Sequence, residues 1–216
     1  MKKQLLIVSL LAVATSFNAF SQGFVNDSAG ANTVKNGVTG ANQAGTEAIL
    51  FAPVGTSDPL GAGMATSGLT TATKPWSTVT GMLSSGWTLG KISGVEADGT
   101  ISGAAFGGGS FAYGAGTVQI DGWSSINESV VVIGWFGAST TLSSAASTLS
   151  PFGWSTAFTV VSGASSTDPN GTVNFSGQTT PISAFGMAPA VVPEPTTLAL
   201  AGLGGAALLA FRRRKA

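Results

Sequence analysis

Through the middle of the chain, apolar positions gather into short runs separated by Gly, Asn, Asp, Ser and Pro. Residues 46–54 (TEAILFAPV) form a β-capable run closed by Pro53 and the Ser57-Asp58-Pro59 turn. Residues 117–123 (TVQIDGW) alternate Val118 and Ile120 with Gln119 and Asp121, the period of a half-exposed strand. Residues 129–136 (SVVVIGWF) are apolar almost throughout and predict a central strand buried on both faces. Two hairpins are expected. One joins 86–95 to 100–106 through Asp98-Gly99, whose glycine supplies the positive φ of a tight turn. The other joins 155–162 to 171–176 through Asp168-Pro169-Asn170-Gly171. No stretch of the middle sustains helical amphipathicity over three turns. Strands spaced by turns, without intervening helices, predict an all-β fold over residues 22–182. The expected form is an antiparallel β-sandwich of the jelly-roll or immunoglobulin-like type, with a barrel as the alternative. Small, uncharged residues at 183–192 (SAFGMAPAVV) read as a linker.

The two ends have a different pattern. Lys2 and Lys3 precede an apolar run at residues 5–14, and Ala19 and Ser21 place small residues at −3 and −1 of a cut before Gln22. Residues 1–21 thus read as a secretory signal peptide, with a signal helix at the N-terminus. At the other end, residues 196–211 (TTLALAGLGGAALLAF) carry no charge and run directly into Arg212, Arg213, Arg214 and Lys215. As a helix this stretch is about 24 Å long, enough for a single transmembrane segment that stops transfer. The basic cluster at 212–216 would stay on the cytoplasmic side and leave the domain outside.

Composition narrows the chemistry. The 216 residues contain no histidine and no cysteine, so a Ser-His-Asp triad, a thiol nucleophile, a disulfide framework and a structural zinc site are excluded. Only 8% of residues are charged, and the net charge is zero. That neutrality hides an asymmetry: between Gln22 and Val192 three lysines (Lys35, Lys74, Lys91) stand against eight carboxylates, leaving −5. Three scattered lysines and no arginine lack the clustering that phosphate neutralisation needs, so no nucleic-acid partner is expected.

Candidate sites in the middle are sparse. Gly153-Trp154-Ser155-Thr156-Ala157 approximates a nucleophile elbow, but Ser155 lacks a histidine base and reads as a turn entering a strand. Glu47, Glu96, Asp98, Asp121 and Glu128 include the carboxylates a glycosidase would need, and equally suit solvated turns and strand edges. Asp98 with Glu96, or Asp168 with Asn170, fall short of a calcium loop's ligand density. The glycines at 107–109 and 114–116 lack the helix and lysine of a phosphate loop. No catalytic residue, metal site or cofactor is expected. Of the five tryptophans (Trp76, Trp87, Trp123, Trp135, Trp154), Trp135 belongs to the core, and Trp76, beside Pro75 in a polar loop, is the candidate for exposure and glycan stacking.

Directly before the apolar tail stands Pro193-Glu194-Pro195, whose prolines fix an extended, accessible segment. Pro-Glu-Pro, a hydrophobic stretch and an Arg-rich end, as in VPEPTTLALAGLGGAALLAFRRRKA at 192–216, resemble the PEP-CTERM sorting signal of Gram-negative and related bacteria. The resemblance implies an exosortase as partner, with Pro193, Glu194 and Pro195 as substrate recognition positions and the basic cluster as membrane retention. It also implies association with exopolysaccharide and biofilm systems. The order GTEAILFAP, SVVVIGWF, GWSTAFTV is similar to that in a loose group of β-rich ectodomains often found before this signal. Together these readings predict a non-enzymatic exported protein of the cell surface, outer membrane or extracellular matrix, with a membrane-anchored precursor and a structural or adhesive role. A carbohydrate-binding module is the alternative, and its mark would be two or more exposed tryptophans on one face.

Overall fold

The computed structural model describes residues 23–25, 28–29, 33–92, 100–101, 111–112, 118–123, 127–163 and 175–191. Its centre is an antiparallel pair formed by the two most apolar runs of the middle. β4 (Thr46–Pro53) lies against β10 (Asn127–Trp135) in a register running from Thr46 opposite Trp135 to Pro53 opposite Glu128. Each partner carries two short strands on its outer edge. β11 (Phe152–Trp154) and β12 (Phe158–Val161) follow one another along β10, while β5 (Thr88–Leu89) and β7 (Thr100–Ile101) do so along β4.

Among the described residues three smaller sheets accompany the main sheet. β6 (Lys91–Ile92) and β1 (Gly23–Val25) flank β9 (Val118–Asp121). β2 (Ser28–Ala29) pairs with β8 (Phe111–Ala112), and β3 (Val34–Asn36) runs parallel to β13 (Phe185–Met187). Between β5 and β6 the chain changes sheet at Gly90, whose N–H donates to Ile49 O at 2.8 Å. Strands that switch sheets in this way make corners. The described pairings close no barrel.

Alternation along β4 and β10 feeds two cores, because successive side chains leave a strand on opposite faces. Ile49, Phe51, Val130 and Val132, with Phe158 beside Val130 in the same sheet, face Ile120, Trp123, Phe175, Phe185 and Met187. Ala48, Leu50, Val131, Ile133 and Trp135 face Leu60, Met64 and two short helices, α1 (Trp76–Met82) and α2 (Leu142–Ser147). An uninterrupted apolar run is what a sheet covered on both sides requires, as expected for 129–136. The helices were not expected. Each is under two full turns, too short to declare a period, and each is held by a few buried residues: Trp76, Val79 and Met82 in α1, Leu142 and Ala145 in α2.

Both expected hairpins fall largely outside the described residues, which leave out 93–99, 102–110 and 164–174. Thr100–Ile101 pairs with β4 and Lys91–Ile92 with β9, so these segments serve different sheets; the Asp98-Gly99 turn lies outside the described residues. In the second, Phe175–Gly177 is a 3-10 turn, and the strand 158–161 is met by side chains instead: Val161 N–H donates to Gln178 Oε1 and Thr159 N–H to Thr180 Oγ1. The expected linker at 183–192 is corrected, since Phe185, Met187 and Ala188 are fully buried and the folded domain extends to residue 191.

Candidate functional site at the C-terminal exit

The last described stretch of the chain is a strap that stitches the two cores together. Phe185 N–H donates to Thr33 O at 2.9 Å, Gly37 N–H to Met187 O at 2.7 Å and Gly186 N–H to Met64 O at 3.1 Å. The strap then rounds the edge of the main sheet at β11, where Ala188 and Phe152 exchange both backbone hydrogen bonds (2.9 and 3.0 Å). Beyond it Pro189 O accepts from Ala72 N–H at 2.7 Å. Phe185 and Met187 fill one core, Ala188 and Ala190 the other.

Glycine permits this route. A Cβ on Gly153 would lie 1.8 Å from Gly186 O, and one on Gly186 would lie 2.1 Å from Ala65 O. Both are backbone contacts that cannot yield, so β13 passes between β11 and the 62–65 segment only as bare main chain. The sequence signal was present as the period-2 pair Phe185 and Met187 astride Gly186, but three residues of alternation do not stand out within SAFGMAPAVV.

At the strap's end Val191 enters the wall of a groove of about 280 Å³, shared with Pro75, Trp76, Ser77, Thr80, Ala146 and Leu149. Among the described residues no charged side chain lines it. Trp76 is the groove's floor and not an exposed stacking platform: it is 3% exposed, its ring stacks on Phe152 at 4.1 Å, and its Nε1–H donates to Ser150 O at 2.8 Å. Its expected exposure is therefore corrected. The polar neighbours in sequence hid the apolar face that α1 turns inward.

Leu149 forms the opposite rim and has an unusual backbone. α2 begins at Thr141, whose side chain accepts from Ser144 N–H, and ends with Leu149 N–H donating to Ala146 O and Ser150 N–H to Ala145 O. This bond pair is a Schellman motif, which places the residue after the C-cap in the left-handed region and favours glycine there. Leu149 occupies it at φ 53°, with 37% of its surface exposed.

The other candidates resolve into structural roles or fall outside the described residues. All five tryptophans are at least 97% buried. Trp87, Trp135 and Trp154 donate to Ser57 O, Ser139 O and Ala62 O, and Trp123 stacks on Phe51 at 5.2 Å. Ser155 is fully buried where the pairing passes from β11 to β12. There its Oγ accepts from Val132 N–H at 3.0 Å, supplying the acceptor that the interrupted ladder omits.

Glu47 and Glu128 are both buried and alternate onto the same face of the main sheet. Glu47 lies opposite Gly134, six residues along β10 from Glu128, so about 20 Å of strand separates them. The two carboxylates of a glycosidase lie within about 5–9.5 Å, and this pair does not meet that geometry. The Asp58 carboxyl is raised above its ordinary value of 3.8 by burial, which outweighs hydrogen bonds from the Leu60 and Gly61 backbone.

Among the described residues no three His, Cys, Asp or Glu side chains group as a metal site, and no helix is long and apolar enough to cross a membrane. Glu96, Asp98, Asp168, Asn170, the glycines at 107–109 and 114–116, and the Asp121 side chain lie outside the described residues. So do Ala19, Ser21, Pro193, Glu194, Pro195, Arg212, Arg213, Arg214 and Lys215.

In sequence the strap runs directly into Pro193-Glu194-Pro195 and an apolar, basic-ended tail. Residues 191–215 match the family model described as the PEP-CTERM protein-sorting motif, so the chain carries the exosortase sorting signal at its C-terminus. The match begins at Val191, one of the residues that line the groove. No curated protein and no solved structure matches the chain.

Proposed function

We propose that this is an exported, non-enzymatic protein that an exosortase sorts through its C-terminal tail, and whose β domain acts as a structural or adhesive element at the cell surface or in an exopolysaccharide matrix. The observation that carries the reading is the sorting motif at 191–215, joined without a spacer to a folded domain. The N-terminal signal pattern and the uncharged stretch 196–211 ahead of Arg212 support a precursor secreted across the inner membrane and held there by one span. We read the domain as sandwich-like, with the β1–β9–β6 sheet laid over the main sheet through the Phe51–Trp123 stack. The low charge and the burial of all five tryptophans favour a packing or matrix role over glycan recognition by exposed indoles.

The test is fractionation of cells producing the wild-type chain or a variant with Pro193→Ala, Glu194→Gln and Pro195→Ala, with and without an active exosortase. The wild type is expected to leave the inner-membrane fraction only when the exosortase is active, and the variant to remain there. Identical distributions of wild type and variant would contradict the proposal.

A further inference from the structure

The sorting motif is separated from the folded core by almost no chain. Val191 lines the groove between α1 and the end of α2, and Pro193 follows two residues later, a reach of about 7 Å. Thr196, the first residue of the apolar stretch, is five residues from Val191, at most about 18 Å of extended chain. An enzyme body that grips Pro193, Glu194 and Pro195 at a membrane surface therefore meets this end of the domain.

The groove's chemistry suits such a contact. It is concave, uncharged and lined by Pro75, Trp76, Ala146, Leu149 and Val191, with Ser77 and Thr80 completing the wall. Leu149 keeps 37% of its surface exposed at a left-handed position whose backbone favours glycine. A bilayer surface fits less well, because among the described residues no lysine or arginine lines the groove to meet anionic headgroups, and the exposed Lys74 stands outside it.

We propose that this groove is a docking surface for the membrane-embedded enzyme that processes the chain, receiving an apolar side chain of that enzyme beside Leu149. The proposal rests on the sorting reading and adds to it a recognition element outside the tail. Specificity then comes from two contacts, the Pro-Glu-Pro segment and the domain face from which it emerges.

The experiment follows processing of the full-length chain, by pulse-chase and mass, in cells holding the exosortase. Leu149→Asn keeps a residue that tolerates the left-handed backbone but removes the apolar side chain. Ser77→Arg places bulk and charge at an exposed position on the other wall. Val54→Asn changes an exposed apolar residue away from the groove and serves as control.

Both groove variants are expected to be processed about 10-fold more slowly with unchanged melting temperature, and the control at the wild-type rate. Inserting twelve Gly/Ser residues between Val191 and Val192 is expected to slow processing similarly, by uncoupling the two contacts. Should Leu149→Asn fail to fold, Ser77→Arg decides alone. Wild-type rates for both groove variants would overturn the docking proposal while leaving the sorting reading intact, provided the Pro-Glu-Pro variant stays unprocessed. Wild-type processing of the Pro-Glu-Pro variant would overturn both. Groove variants that process normally yet lose binding to anionic lipid vesicles would assign the face to the bilayer and overturn the enzyme partner.

Discussion

Gly153 and Gly81 show how the same substitution carries opposite signs at two places in this chain. Adding a Cβ at Gly153 brings it to 1.8 Å from the Gly186 carbonyl oxygen, so Gly153→Ala must push the strap off β11 and is expected to cost about 3 kcal/mol or more. Gly81 lies inside α1 with nothing within 4 Å of the added atom, and Gly81→Ala is expected to stabilise by about 0.5–1 kcal/mol. Urea unfolding of the two variants beside the wild type checks both signs at once.

Asp58 supplies a pH dependence. Its carboxyl holds a proton to higher pH in the folded chain than in the unfolded one. The stability it contributes is therefore full below 3.8 and is lost as pH rises through the raised value. Asp58→Asn keeps an acceptor for Leu60 N–H, at 2.9 Å in the wild type, and removes the charge. The variant is expected to be the more stable chain at pH 7, with the gap closing as pH falls through the raised value. Unfolding midpoints measured between pH 3 and 8 would show this, and a gap that widens toward acid would contradict it.

Among the elements, long apolar runs declared themselves and short ones did not. β4 and β10 stand out because each is an eight- or nine-residue stretch whose two faces are both covered, which leaves little polar sequence inside it. α1, α2 and β13 are three to seven residues long. Their identity comes from tertiary partners: Phe152 and Ser150 for Trp76, and β3, Gly153 and Ala188's own bridge to Phe152 for the strap. Composition alone made residues 183–192 look like a spacer, because the glycine and alanine that allow close backbone approach also typify linkers.

A chain ending at Val191 is accordingly expected to fold cooperatively, and one ending at Ser183 to lose its tertiary structure. The milder change Phe185→Ala is expected to cost about 3–5 kcal/mol by leaving a cavity in the core beside Gly134. Near-ultraviolet circular dichroism with denaturant titration distinguishes these cases. A well-folded chain ending at Ser183 would return the strap to the status of a linker.

For the molecule as a whole, sequence was most informative at the C-terminal end, where the Pro-Glu-Pro sorting motif is a linear pattern read by other machinery and needs no fold to be recognised. The groove beside the exit could not be read, because Pro75, Ala146 and Val191 come together only when α1, α2 and the strap pack on the same edge of the sheet. The folded strap also sets a limit on processing. Removal of the tail must occur beyond the buried residue Ala190 if the domain is to stay intact.

Intact mass and C-terminal peptide mapping of the protein recovered from cells and medium test this most directly. The wild type is expected to lose residues 196–216 and keep every residue through Val191, whereas the Pro-Glu-Pro variant keeps its tail. A mature wild-type chain that retains 196–216, or one that ends within 183–190, would contradict the account.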